Sequence, residues 1–189
     1  DPNVRREKYA ATAKQTKQLV NWLRRQGQDE FADAFIVARQ YALRFKSECI
    51  PLQWSSHLSN VQMDDKSCTI HTSRKTSGRN VIPICRNCIC HQQSQALCGC
   101  CILKKRHLRN DGGYVFPSIT YGSALFWLRE GAKACGWQNP VAWGTHAFRR
   151  GWGRDAYAQG GLSAFFLSGG WSSIAALGYL SSKQRNEIE

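Results

Sequence analysis

The N-terminal part of the chain carries apolar side chains at the spacing of two helices. In residues 7–26 the apolar positions recur at near-helical intervals, which predicts one helix with a stop at Gly27. Residues 29–49 are more apolar and predict a second helix, with Pro51 bounding it or a break within it. The stripe predicted to face the core contains Phe31, Phe35, Ala38 and Ala42, with Ile36 and Leu43 beside it.

The segment that follows changes from helical to strand-like patterning. Runs typical of strands lie at 56–63, 67–72 and 79–84. Polar turn residues at 64–66 and 75–78 separate these runs, and a glycine in the second turn supplies permissive backbone geometry. The pattern therefore predicts a small antiparallel sheet of three strands.

The C-terminal half of the chain returns to helical patterning. Ser118 and Thr145 are candidate N-caps for the helices that follow them. The predicted helical segments are residues 120–135, a helix from near His146 that Gly160 and Gly161 break, and short pieces at 162–167 and 172–180. Together with the sheet, these segments predict a mainly helical α+β domain.

Basic residues outnumber acidic ones by a wide margin. The 189 residues include 26 lysines and arginines against 13 acids, which gives a formal net charge of +13. A polyanion such as DNA, RNA or an anionic membrane surface would relieve this self-repulsion. The basic residues are spread along the chain, which favours a folded basic surface over a disordered arm. The sequence has no run of about 18 apolar residues, so no membrane span is expected.

Six of the nine cysteines fall in one short segment, between positions 85 and 101. The N-terminus does not resemble a secretory signal, so this clustering favours metal binding over a disulfide framework, with free thiols or disulfides as the alternative. Paired ligands separated by a loop suit tetrahedral Zn²⁺ in a structural role. The first predicted ligand set is Cys85, Cys88, Cys98 and Cys101, with Cys90, His91 and Cys100 as alternatives and His107 as a remote one.

The C-terminal third contains four side chains suited to phosphate chemistry. His146 and Arg149 are three residues apart, so on a helix they point to the same side. An arginine binds two phosphate oxygens with its planar fork, and a histidine beside it donates a hydrogen bond or moves a proton. Trp171, after two glycines, offers an indole N–H donor for an oxyanion. Tyr179 is a potential nucleophile where surrounding cations favour its phenolate.

This string, HAFRRG followed by SGGWSSIAALGYLSS, resembles the C-terminal signature of tyrosine recombinases and phage-type integrases. Upstream, Arg44 and Glu48 before a Leu-Gln-Trp segment are similar to the first arginine and the acidic residue of that family. Lys75, in the second predicted turn, is similar to the family's lysine. The double arginine and the short Trp-to-Tyr interval resemble the Crypton- and DIRS-like recombinases of eukaryotic mobile elements.

Two spacings depart from the common family pattern. Trp171 and Tyr179 are eight residues apart, whereas bacterial and phage members commonly have nine. Glu48 follows Arg44 by four residues, whereas the common pattern has three. The first departure fits the eukaryotic mobile-element group, and the second leaves the helix register around Arg44 open.

The resemblance implies metal-free transfer of a DNA phosphoryl group through a covalent enzyme intermediate. Tyr179 would attack a backbone phosphate to form a 3′-phosphotyrosyl bond, and Lys75, with Arg74 as the alternative, would protonate the departing 5′ oxygen. The other implied roles are phosphate clamping by Arg44 and Arg149, hydrogen bonding and proton transfer by His146, support of the phosphate or packing of the site by Trp171, and orientation of the cations by Glu48.

The implied fold is a tyrosine recombinase catalytic domain over residues 1–189, with residues 85–107 as a cysteine-rich, zinc-binding insertion. Few residues precede Arg44, so the N-terminal core-binding domain of the family is expected to be absent from this chain. The resemblance further implies double-stranded DNA as the partner, a monomer alone, a tetramer on paired DNA sites in the full-length protein, and nuclear residence. Two alternatives are a non-catalytic DNA-binding module of the same fold and a type IB topoisomerase-like nicking and closing enzyme.

Overall fold

The computed structural model describes residues 8–57, 59–73, 81–91, 97–109, 113–169, 171 and 174–188. The α-helices within these residues are α1 (Ala13–Arg25), α2 (Asp29–Gln40), α3 (Gly99–His107), α4 (Tyr121–Ala134), α5 (His146–Gly169) and α6 (Ser182–Asn186). Helix α2 packs against α1, α3 and α5, so it forms the centre of the helical layer. No helix in this part of the chain is long and apolar enough to cross a membrane.

The three strands form one antiparallel sheet in the order β1, β2, β3, which confirms the sheet predicted from the sequence. Strand β1 is Ser59–Met63, β2 is Ser67–Ser73 and β3 is Val81–Asn87. Strand β3 therefore continues beyond its predicted end at residue 84 and includes Cys85. The second predicted turn, which contains Lys75, lies outside the described residues.

Helix α1 begins where its capping residue lies. The Thr12 hydroxyl accepts a hydrogen bond from the Gln15 backbone at 3.0 Å, and the Gln15 side chain accepts one from the Thr12 backbone at 3.1 Å. The helix ends before Gly27, whose φ of +71° favours glycine, as the sequence predicts. Its buried face consists of Thr16, Leu19, Val20 and Leu23, which pack into the core shared with α2 and α4.

The prediction of a single helix over residues 29–49 is wrong, because the chain forms two separate elements there. Helix α2 ends at Gln40, and Ala42 has a φ of +50°, which is incompatible with a continuing right-handed helix. A π-helical turn, Phe45–Cys49, follows. In this turn the backbone carbonyl of Arg44 accepts hydrogen bonds from the N–H groups of both Glu48 and Cys49, at 2.8 and 3.2 Å.

The C-terminal helices follow the predicted segments with local differences. Helix α4 is capped by Thr120 rather than by Ser118, and the Thr120 hydroxyl accepts from the Ser123 backbone at 3.1 Å. Helix α5 begins at His146 and is broken by non-helical φ and ψ values at Gly160 and Gly161, as predicted. The helical piece after this break, predicted over residues 162–167, continues to Gly169. A 3₁₀ helix, Ile174–Tyr179, lies within the segment predicted at 172–180. Helix α6 follows it and is not predicted by the sequence pattern.

The C-terminal segment packs around a small apolar cluster of its own. Its buried members are Ala42, Phe165, Trp171, Ala176 and Leu180. Ala42 belongs to the loop between α2 and the π-helical turn. Through this residue, the C-terminal segment packs next to Arg44 and Glu48. The larger core lies between the helices and one face of the sheet.

Candidate functional site

A buried arginine connects α5 to the π-helical turn. The side chain of Arg149 is 1% exposed, and its Nη1 donates a hydrogen bond of 2.6 Å to the backbone carbonyl of Ala42. The same Nη1 lies 3.4 Å from Oε1 of Glu48, which is also buried. Glu48 in turn accepts a hydrogen bond of 3.1 Å from the backbone N–H of Arg44. Because the π-helical turn is wider than an α-helical turn, the carboxylate of Glu48 contacts both the backbone N–H of Arg44 and the guanidinium of Arg149.

Two aromatic rings lie against this guanidinium. The guanidinium carbon of Arg149 lies 5.1 Å from the ring centroid of Trp171 and 5.3 Å from that of Tyr179. The two rings are 5.2 Å apart, and the His146 ring lies 6.5 Å from Tyr179. Residues far apart in the sequence thus converge on one site, although Lys75 lies outside the described residues.

The indole of Trp171 carries a donor suited to an anionic ligand. Its Nε1 is buried and makes no hydrogen bond to any part of the chain that the structure describes. A buried N–H without an acceptor is costly, so a bound oxyanion would stabilise it. The ring lies so close to Gly169 that a Cβ at that position would overlap it. Gly169, two residues before Trp171, therefore has a packing role that the sequence motif does not reveal.

The pKa of His146 is lowered from 6.5 to about 4. Burial is the largest cause, and the positive charges of Arg150, Arg149, Arg44 and Lys8 add to it. Arg44 is thereby part of the same electropositive site as His146. At neutral pH the imidazole is uncharged, so it is able to accept a proton from a neighbouring hydroxyl.

The lowered pKa of His146 predicts an acid-sensitive contribution to stability. Between pH 6.5 and about 4 the unfolded chain binds a proton at this residue and the folded protein does not. The wild-type protein should therefore lose stability as the pH falls through this window, and His146→Asn should lack that loss. Melting temperatures of both proteins from pH 7 to pH 4.5 measure the difference, and parallel profiles would contradict the prediction.

The Arg149–Glu48 pair predicts a moderate effect of removing one charge. In Glu48→Gln an amide oxygen remains to accept from the Arg44 backbone, but the buried guanidinium loses its counter-charge. We expect the free energy of unfolding to fall by about 2 kcal/mol. Chemical denaturation measures it, with the exposed Glu130→Gln as the control, and equal stability of the two variants would exclude a role for the charge.

Two arginines of α5 that the sequence reasoning did not assign also border the site. The Arg150 guanidinium lies close to His146 and Tyr179: burial lowers the pKa of Arg150, and the nearby Tyr179 opposes this. Arg154 donates a hydrogen bond of 3.0 Å from Nε to the backbone carbonyl of Tyr179. In the sequence, Arg150 stands out only as the second residue of the double arginine that resembles the family motif. Arg154, one helical turn further on, could have been found from its i, i+4 spacing.

The cysteine-rich segment forms a compact group of four thiols. The sulfur atoms of Cys88, Cys90, Cys98 and Cys101 all lie within 4.8 Å of one another. Cys88 and Cys101 are 3.4 Å apart, and Cys90 and Cys101 are 2.8 Å apart. Three members, Cys88, Cys98 and Cys101, belong to the ligand set predicted first. The fourth is Cys90, which was predicted as an alternative, in place of Cys85.

Strand pairing explains why Cys85 is outside this group. It pairs with Thr69 inside β3, and its exposed side chain lies on the face opposite the buried Ile84. The alternative ligand Cys100 is also outside the group, because its buried sulfur donates to Cys68 at 3.4 Å. His91 and His107 are not members either.

The thiol group has the chemistry of a zinc site. A tetrahedral ion with Zn–S bonds of about 2.3 Å places its sulfurs about 3.8 Å apart, close to the spacing of these thiols. A hydrogen bond from the Cys90 backbone, followed by one from the Cys101 side chain, lowers the pKa of Cys88 to about 7. Burial and the neighbouring thiols raise the pKa of Cys101. A bound cation would favour the thiolate, which is the form that binds metal, and four sulfur donors at this spacing suit Zn²⁺.

The described elements and their arrangement define the fold of the tyrosine recombinases, mainly helical with a three-stranded antiparallel sheet. Solved structures that share it include two complexes of XerH site-specific recombinase. The pre-cleavage complex with difH has a TM-score of 0.65 at 12% identity, over 98% of this chain and 55% of that one. The post-cleavage complex with palindromic difH has a TM-score of 0.68 at 11% identity, over 97% and 52%.

The chain thus spans about half the length of these solved recombinases. No protein-family model matches the sequence, and no curated protein matches it. At 11–12% identity the structural likeness establishes the fold alone.

Proposed function

We propose that this chain is the catalytic domain of a site-specific DNA recombinase or transposase that cleaves and rejoins DNA through Tyr179. The observation that supports this most directly is the packing of Tyr179 and Trp171 against the buried Arg149, with ring-to-guanidinium distances of 5.3 and 5.1 Å. The family motif gave these residues separate roles around one phosphate. Their convergence is what a single phosphodiester site requires.

The proposed reaction proceeds in line at phosphorus. The Tyr179 oxygen forms a bond to the phosphorus as the bond to the 5′ oxygen breaks, and neutral His146 takes the phenolic proton. Lys75 supplies the proton to the departing 5′ oxygen. Arg44 and Arg149 stabilise the charge that builds on the non-bridging oxygens, each contributing about 3 kcal/mol. Attack by a 5′ hydroxyl on the phosphotyrosine reverses these steps and reseals the strand.

DNA is the proposed partner on two independent grounds. The chain carries a net charge of +13, which suits a polyanion. The XerH structures that share its fold are complexes with DNA substrates.

From the resemblance we further propose a Crypton- or DIRS-like element as the source of the chain, nuclear residence, a monomer in isolation and a tetramer of the full-length protein on paired DNA sites. Residues 1–189 would form one catalytic domain, with 85–107 as its insertion.

A pool of duplexes tests this function without knowledge of the target. Each duplex has a randomised sequence and a nick, so that the short strand released by cleavage diffuses away and the covalent intermediate accumulates. We expect an adduct that survives denaturation, with the labelled nucleotide on the peptide that contains Tyr179. DNA binding without an adduct would support the non-catalytic module. Adducts and plasmid relaxation without joining of two duplexes would support the nicking and closing enzyme.

We also propose that Cys88, Cys90, Cys98 and Cys101 hold a structural zinc ion. Cys88 and Cys90 follow β3, while Cys98 and Cys101 lie at the start of α3. When bound, the ion would supply a fixed cross-link between the end of the sheet and this helix. The ligand geometry described above supports the proposal, and free thiols or disulfides are the alternative states.

A further inference from the structure

A short N-terminal strap, residues 8–11, lies against α5, the helix that carries His146 and Arg149. The backbone N–H of Ala11 donates to the carbonyl of Ala147 at 2.8 Å, and Ala11 is fully buried. The ring of Tyr9 stacks on Trp143 with centroids 4.8 Å apart and an interplanar angle of 5°. The strap is therefore a packed element, although it has no regular secondary structure.

Side chains of two helices hold the strap by its carbonyl groups. On α5, Arg150 donates to the carbonyl of Tyr9 at 2.8 Å, and Arg154 donates to that of Lys8 at 3.1 Å. On α2, Arg39 donates to the carbonyl of Ala11 at 3.2 Å. A Cβ at position 151 would overlap the Ala11 oxygen, so the close approach of strap and helix requires Gly151.

The guanidinium of Arg154 has a second partner in the candidate site. Its Nη2 binds the Lys8 carbonyl, whereas its Nε donates to the carbonyl of Tyr179 at 3.0 Å. One rigid planar group thus bridges the strap and the residue proposed as the nucleophile. Because the donors of a guanidinium have a fixed relative geometry, displacing one acceptor strains or breaks the bond to the other.

We propose that Arg154 is a positioning residue that couples the strap to Tyr179, so that the placement of the phenol beside Arg149 depends on residues 8–11. The catalytic consequence rests on the proposed function, whereas the coupling itself is a property of the fold. A partner that displaces the strap would move the phenol through this guanidinium.

The coupling is tested with 3-fluorotyrosine at position 179 and a double-mutant cycle of Tyr9→Ala and Arg154→Lys. Tyr9→Ala removes the stack on Trp143, and Arg154→Lys keeps the charge but loses the planar bridge. We expect each variant to shift the ¹⁹F resonance and to slow adduct formation at saturating DNA about tenfold, with unchanged DNA affinity. The double variant should resemble the stronger single variant, because both changes break one connection.

Arg185→Lys is the matched control. Arg185 donates to the carbonyl of Leu180 at 2.7 Å, next to Tyr179, and its other described contact is with Ser182 rather than with the strap. Its effect should therefore add to that of Tyr9→Ala. If Tyr9→Ala does not fold, Tyr9→Leu loosens the stack while keeping an apolar side chain of similar reach.

The possible outcomes separate this inference from the proposed function. Additive effects of the changes at Tyr9 and Arg154, or an unchanged ¹⁹F resonance in folded Arg154→Lys, would overturn the coupling. Non-additive ¹⁹F shifts in a protein that forms no adduct would leave the coupling standing and overturn the nucleophilic role of Tyr179.

Discussion

Phenylalanine in place of Tyr179 should eliminate the covalent protein–DNA adduct expected of the wild-type protein. The phenolic oxygen is the atom proposed to bond to phosphorus, and the substitution removes this atom alone. The ring that packs beside Trp171 and Arg149 is retained, so the variant should stay folded and keep its affinity for DNA. Denaturing gels with the nicked duplex pool measure the adduct, and an electrophoretic shift measures binding.

The matched control for this experiment is Tyr157→Phe. Tyr157 belongs to α5 and packs partly buried against the same apolar cluster, so it tests the loss of a phenolic oxygen in a similar setting. We expect it to form adduct like the wild type. An adduct that persists in Tyr179→Phe would show that another group is the nucleophile.

Replacing Cys98 or Cys101 by serine should abolish binding of the proposed zinc ion and strongly destabilise the domain. Both sulfurs lie in the four-thiol group, and a zinc ion bound there would stabilise the folded state over an unfolded chain that holds it weakly. We expect a loss of about 4 kcal/mol, which lowers the melting temperature by about 10 °C. Elemental analysis and thermal denaturation, with and without chelator, measure both effects.

Cys85→Ser is the control that separates the two candidate ligand sets. Cys85 is exposed on β3, outside the thiol group, so this variant should keep one zinc ion per chain and the wild-type melting temperature. Zinc loss in Cys85→Ser with retention in Cys90→Ser would restore the set first predicted from spacing. A metal-free protein that chelator does not destabilise would leave the zinc proposal without support.

The difference at this cluster shows what residue spacing is able to predict. Spacing identified the segment and the kind of ligand, because short-spaced thiols separated by a loop suit a tetrahedral ion. It did not identify where β3 ends. The strand continues to Asn87, so Cys85 belongs to the strand whereas Cys88 and Cys90 follow it. Choosing among neighbouring cysteines required the strand boundary, which is among the least certain features of a sequence pattern.

The break after α2 was missed for a different reason. Residues 29–49 have helical periodicity, and Ala42 is a strong helix former that gives no local signal for a positive φ. The conformation depends on partners distant in the chain: Arg149 binds the Ala42 carbonyl, and Glu48 contacts both Arg149 and the Arg44 backbone. Tertiary contacts of the candidate site thus override a local preference, which is common where a site requires it.

For the candidate site, the ordered motif was more informative than any local property. It singled out His146, Arg149, Trp171 and Tyr179, and the structure brings these side chains together. Their chemical roles stay a proposal. Helical spacing places Arg154 on the same face of α5 as Arg150, but its bridging role could not be predicted from the sequence. Arg154 acts through two backbone carbonyls, which any residue type could supply.

The glycines at 151 and 169 limit how this chain can diverge. At the first, any β-carbon would collide with the Ala11 carbonyl, and at the second with the Trp171 indole. Gly144, by contrast, has open space where a side chain would begin. Neutral drift should therefore exchange Gly144 freely, while lineages that keep this architecture are held to the smallest amino acid at the other two positions.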